Sequence, residues 1–145
     1  TYVSTPGLVV DASTGEINLA ASTDGTYTVT YNFSNGTCTN TTVTVVTINP
    51  LPVVTLTGPS PICEATTSNI YTTESGMTNY IWAVSSGGTS TAGGTATDNT
   101  VTVTWNTAGA QTVSVTYTNS LGCSGTKVLD VTVNPLPNTS PIYHN

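Results

Sequence analysis

Apolar and hydroxyl-bearing residues alternate along much of this chain. Tyr27, Val29, Tyr31 and Phe33 interleave with Thr26, Thr28, Thr30 and Asn32. A period of two gives a strand one buried face and one wet face. Asn35-Gly36 follows, a dipeptide suited to a tight hairpin turn, and Val43, Val45, Val46 and Ile48 carry a return strand to Asn49. Further on, Tyr80, Trp82 and Val84 share one face of a strong strand. Val101, Val103 and Trp105 alternate with Thr, as do Val113, Val115 and Tyr117, and Val128, Val131 and Val133 make the last strand. Val53–Leu56, Ile62-Cys63 and Ile70-Tyr71 read as shorter strands, and residues 85–99 as a loop or weak edge strand. Near the front, Leu8-Val9-Val10 and Glu16-Ile17-Asn18-Leu19 read as a β-hairpin around a turn from Asp11 to Gly15, where Asp11 accepts backbone hydrogen bonds and Gly15 supplies a positive φ. No segment has helical periodicity. Seven or so short strands with frequent turns predict an all-β chain of immunoglobulin-like sandwiches.

The pattern repeats. Gly25, Tyr27-x-Val29-x-Tyr31, Cys38 and Val46-x-Ile48 overlay Gly109, Val113-x-Val115-x-Tyr117, Cys123 and Val131-x-Val133. Each copy closes on the same four residues, Asn49-Pro50-Leu51-Pro52 and Asn134-Pro135-Leu136-Pro137. The expected organisation is tandem: residues 1–49 as the C-terminal part of a unit truncated at its front, 50–52 as a Pro-rich linker, 53–134 as a complete unit, and 135–145 as a linker leading to the next. The chain therefore reads as an excerpt of a longer polypeptide.

Composition narrows the function. Charged residues are 6% of the chain, against about 25% in ordinary soluble domains. Thr, Ser and Asn supply the polarity instead. Net charge is -6 with Lys127 the single basic residue. Nucleic acid is excluded as a partner, because phosphate binding needs clustered Lys and Arg. No apolar run reaches the ~20 residues that span a bilayer, so no direct membrane insertion is expected.

Three cysteines are an odd number. Cys63 and Cys123 fall within the second unit and are expected to pair, stapling a unit too small to bury a large core. Cys38 occupies the place of Cys123, so its partner is expected upstream of the excerpt. The alternative is three reduced, buried thiols. A metal site built on these thiols lacks the Cys-x-x-Cys spacing, and the single His, His144, is terminal.

The second unit, with Gly58-Pro59-Ser60-Pro61-Ile62-Cys63, Tyr80-x-Trp82-x-Val84, Val101-x-Val103-x-Trp105 and Gly122-Cys123, resembles the PKD-like, immunoglobulin-like repeats of very large Bacteroidota surface proteins. The first, with Gly7-Leu8-Val9-Val10-Asp11 and Gly15-Glu16-Ile17 before Gly25-Thr26-Tyr27, resembles a companion repeat of the same proteins. The resemblance implies an extracellular adhesin or surface filament of the SprB gliding type, exported by type IX secretion. It implies no enzymatic activity and no cofactor. Expected partners are neighbouring repeats of the same chain, surface glycans and other filament subunits.

Other chemistry finds little footing. No Gly-x-Ser-x-Gly elbow is present, and the turn explains Asp11 without a catalytic carboxylate pair. Calcium is a stalk-stiffening option, with Asp11, Glu16 and Asp98 as candidate ligands, although no Asp-x-Asp-x-Asp run exists. Lys127 is the one possible donor for an internal isopeptide bond, and a solvated edge-strand lysine is the simpler reading. Tyr27, Tyr31, Tyr80, Trp82, Trp105 and Tyr117 are expected in the core, leaving Tyr2, Tyr71 and Tyr143 as freer aromatics for stacking on sugars. The alternative function is thus a carbohydrate- or protein-binding module of a secreted enzyme.

Overall fold

A computed structural model describes residues 1–138. The chain divides into two compact units, Thr1–Pro50 and the residues from Leu51 onward. Every regular element described is a strand apart from one short 3-10 turn, Leu19–Ala21. The all-β expectation holds.

The first unit is a single antiparallel sheet ordered β1 (Tyr2–Ser4), β2 (Gly25–Ser34), β3 (Thr39–Ile48). The long hairpin keeps an unbroken register from Gly25↔Ile48 to Ser34↔Thr39. The segment between β1 and β2 folds over one end of this sheet and buries Leu8 against Tyr27 and Val29. Its turn forms as the residues predict. Asp11 Oδ1 accepts the amides of Ser13 and Thr14 at 2.8 and 2.7 Å. Gly15 sits at φ +79°, the left-handed region that favours glycine. Only one pair, Val10↔Ile17, meets as a β-bridge there, so the predicted hairpin is a turn rather than two strands.

Tyr31 departs from its expected core position. The covering segment stops short of it. Tyr31 is half-buried in a row between the half-buried Tyr2 and the exposed Phe33, with ring centroids 4.5 and 5.6 Å apart.

The second unit is a two-sheet sandwich. One sheet is ordered β4 (Ile62–Cys63), β10 (Ser124–Asn134), β9 (Gly109–Thr118), β6 (Thr78–Val84). The other is β5 (Asn69–Thr72), β8 (Thr100–Trp105), β7 (Gly88–Gly93). The alternating residues read from the sequence fill the space between them. Val101, Val103, Trp105, Val113, Val115, Tyr117, Val131 and Val133 are all buried. The stretch read as a weak edge is β7, whose register shifts between Ser90 and Ala92.

Tyr71 corrects the sequence reading in the other direction. It is fully buried, edge-on to Trp105, whose Nε1 donates to its hydroxyl at 3.0 Å. Strand β5 is so short that one aromatic in it carried no periodic signal.

Residues 53–57 do not form the predicted strand. They pair with the second sheet through a single bridge, Thr57↔Thr72, while Leu56 is buried in the core. The chain then crosses to the first sheet, where β4 lies parallel to the end of β10. Gly58-Pro59-Ser60-Pro61 is this crossover. A Cβ on Gly58 would lie 2.1 Å from Tyr71 Cδ1, so only glycine lets the backbone pass the buried ring.

Candidate functional site

The functional geometry of the second unit lies at its two ends. At the end where the chain enters, Pro52 and Val54 pack beside Gly125, at the start of β10. Glu74, just past β5, fastens this entry segment. Its Oε1 accepts the amide of Thr55 at 2.9 Å and also the Thr55 hydroxyl. Its Oε2 accepts the hydroxyl of Tyr117 on β9 at 2.9 Å. The Thr73 hydroxyl lies 2.8 Å from that same oxygen and 2.7 Å from the Thr55 carbonyl. Tyr80 of β6 completes the cluster by donating to the Glu74 carbonyl at 2.7 Å.

Burial pushes the Glu74 carboxyl up. Hydrogen bonds from Thr55, Thr73, its own backbone and Tyr117 more than reverse this and hold it at about 2. Burial, together with the Glu74 charge, pushes the Tyr117 phenol up to about 12. With one cation in the chain, a carboxylate here is held by hydroxyls and amides rather than by an ion pair. The cluster joins groups brought together only by the fold. Residue types at Thr55, Thr73 and Glu74 give no hint of it.

At the exit end, Thr132 donates its amide to Ser60 Oγ at 3.1 Å, and Glu64 donates its amide to the Asn134 carbonyl at 2.8 Å. Cys63 is in register with Asn134. Entry and exit are therefore separated by the length of β10, 11 residues, or roughly 35 Å at the rise of an extended strand.

Residues 49–131 match the family model of the PKD-like domain. The chain belongs to the PKD-like domain family. No curated protein matches it. Among solved structures it is similar to domains 4 and 5 of the S-layer protein SbsC, at TM-score 0.38 and 21% identity over 94% of this chain and 70% of that one. It is also similar to SbsC domains 1–6, at TM-score 0.40 and 21% identity over 97% of this chain and 20% of that one. A third is protocadherin gamma B2 cadherin domains 3–6, at TM-score 0.40 and 15% identity over 100% of this chain and 42% of that one.

The geometry of the PKD-like unit overturns the expected Cys63–Cys123 bridge. Cys63 lies beside the last residue of β10 and Cys123 immediately precedes its first. A disulfide needs Cα atoms within about 7 Å, and a full strand length separates these two. Cys38 and Cys63 are exposed and free. Cys38 and Cys123 do hold matching places. Each closes a hairpin loop in which an Asn side chain, Asn35 or Asn119, accepts its amide at 2.9 Å.

The candidate calcium ligands do not assemble. Asp11 and Glu16 face the shallow pocket of the first unit's turn, while Asp98 belongs to the PKD-like unit. Backbone hydrogen bonds from Thr14 and Ser13 hold the Asp11 carboxyl below its usual range, and Asp98 is held low by the Thr95 hydroxyl and amide. Among the described residues no group of three His, Cys, Asp or Glu is placed to hold a metal. Lys127 is exposed on β10. Of the linker residues, Asn49, Pro50, Leu51, Asn134, Pro135, Leu136 and Pro137 are exposed, and Pro52 is half-buried. His144 and Tyr143 lie outside the described residues.

Proposed function

We propose that the chain is a spacer segment of an extracellular adhesin or surface filament, built from tandem units joined by Asn-Pro-Leu-Pro. The observation that carries this reading is the placement of entry and exit at opposite ends of the PKD-like unit. A unit whose termini lie side by side adds a bulge to a polypeptide, whereas one whose termini lie a strand length apart adds reach. Two prolines with fixed φ make each connector stiff, and four residues in polyproline geometry extend only about 12 Å. Rigidity in this reading comes from the Glu74 cluster and the crossover, without a disulfide. Its partners are neighbouring repeats and other filament subunits, and it has no catalytic part.

Small-angle scattering from polypeptides carrying two, four and six consecutive copies of residues 53–137 tests the proposal. The maximum dimension is expected to grow linearly with copy number. A globular dependence on mass would sink it.

One observation favours the second reading, a carbohydrate-binding module. Phe33 is exposed beside the half-buried rings of Tyr31 and Tyr2 in a setting of Thr and Asn, an aromatic row on which a sugar ring could stack. Glycan-array binding by the wild-type chain, lost in Tyr31→Ala, would support that reading.

A further inference from the structure

Strand β3 of the first unit is a ten-residue edge. It pairs with β2 along one side and, among the described residues, with no strand along the other. Hydrogen bonding in an antiparallel pair alternates, so every second residue turns its backbone groups outward. Asn35 donates to the Cys38 carbonyl across the hairpin, and Asn32 donates to Thr1 on the β1 side. These two bonds set the phase. Asn40, Thr42, Thr44, Val46 and Ile48 face β2, while Thr39, Thr41, Val43, Val45 and Thr47 present amides and carbonyls to the open edge. Asn40 Oδ1 already takes the Thr41 amide at 2.8 Å. Val43, Val45 and Thr47 keep theirs directed outward.

Open edges are normally blunted by charge, proline, bulges or a covering segment. The other edges of this chain show these devices. The matching strand β10 carries Lys127 and Asp130, and Ser60 and β4 cover its end. Strands β6 and β7 are short and broken by register shifts. Strand β3 has none of them. Thr39–Ile48 contains no charge, no Pro and no Gly, and its register is continuous.

We infer that β3 is a pairing edge for the β3 of a second copy of this chain. Charge argues for a copy rather than an oppositely charged partner. In a chain of net charge -6, this strand offers no charge for a cationic strand to recognise, and two copies meet along it without facing carboxylates. The strand is also self-complementary. With Thr44 on the two-fold axis, Val43 falls opposite Val45 of the partner, Thr42 opposite Val46 and Thr41 opposite Thr47. All are pairs of β-branched residues, which pack well across strands. Val43 and Val45 are 65% and 67% exposed, on the same sheet face, and the pairing sets four such valines side by side. The result is one continuous six-stranded sheet with an isologous interface. This inference stands whether or not the spacer reading does.

Sedimentation velocity on the chain, from micromolar to millimolar concentration, tests it. A reversible monomer–dimer equilibrium is expected, abolished in the double variant Val43→Lys/Val45→Lys, whose replaced side chains project into solvent. A wild-type chain that stays monomeric, or a dimer that survives both lysines, overturns the proposal. Hydrogen exchange on the wild-type chain gives a readout that does not depend on the variant folding. The amides of Val43, Val45 and Thr47 are expected to slow at high concentration relative to dilute protein. Exchange at the exposed rate under both conditions overturns it equally.

Discussion

Tyr117 donates its hydroxyl to Glu74 Oε2 at 2.9 Å, across the entry end of the sandwich. Tyr117 comes from the middle of the core sheet, and Glu74 from the turn after the short outer strand β5. The same carboxylate grips Thr55, so one side chain ties the incoming segment to both sheets. Glu74→Ala is expected to lower the stability of the PKD-like unit by about 2 kcal/mol, as loss of charged hydrogen bonds partly screened by solvent. Glu74→Gln, which keeps one carbonyl acceptor, is expected to lose about 1 kcal/mol. Urea unfolding followed by Trp fluorescence measures both.

The same pair sets two pH limits. The Glu74 carboxyl lies at about 2 in the folded unit against an ordinary 4.5. Its contribution is present above the ordinary value and is lost as pH falls from there toward the folded value. The Tyr117 phenol lies at about 12 against an ordinary 10.0. Its contribution is present below the ordinary value and is lost as pH rises toward the folded one. The urea midpoint of the wild-type unit is expected to fall at both extremes. In Glu74→Gln the acid limb flattens, and ultraviolet titration finds the Tyr117 phenol ionising at lower pH than in wild type.

Gly58 bears on the crossover. Gly58→Ala forces a Cβ into the ring of fully buried Tyr71. The expected cost is about 2–3 kcal/mol, in the range of overpacked cores. Calorimetry on the variant should register it as a lowered melting temperature.

Cys63 and Cys123 lie at opposite ends of β10, which predicts how they label. Reduction is expected to leave the intact mass unchanged, and iodoacetamide is expected to modify the exposed Cys63 in native buffer. Mass spectrometry before and after reduction checks both, and a loss of Cys63 labelling in non-reduced protein would contradict the strand register.

What could be read from the sequence was whatever repeats along a strand. Val113, Val115 and Tyr117 advertise their shared face by alternation, and Asn35-Gly36 marks its turn by local conformation alone. Tyr71 is buried and Tyr31 only half-buried, against expectation, because period two tells which residues share a face but not whether that face is covered. Tyr31 sits in a perfect alternation beyond the reach of its covering segment, and Tyr71 sits in a strand too short to alternate. The Glu74 cluster and the separation of Cys63 from Cys123 depend on which strands become neighbours. Cys63 looked close to Cys123 because both flank strands of one unit. Only the parallel pairing of β4 with the far end of β10 reveals that they are not.

The placement of entry and exit along β10 has a mechanical consequence. Tension applied through the two linkers runs parallel to β10. The strand cannot be peeled from β9 one hydrogen bond at a time in that geometry, because all the pairs from Ser124↔Thr118 to Val133↔Gly109 are sheared together. The entry segment is loaded in series with it, held by the bridge at Thr57, the grip of Glu74 on Thr55 and the burial of Leu56 in the core. A fibre of such units would resist extension until whole sandwiches fail.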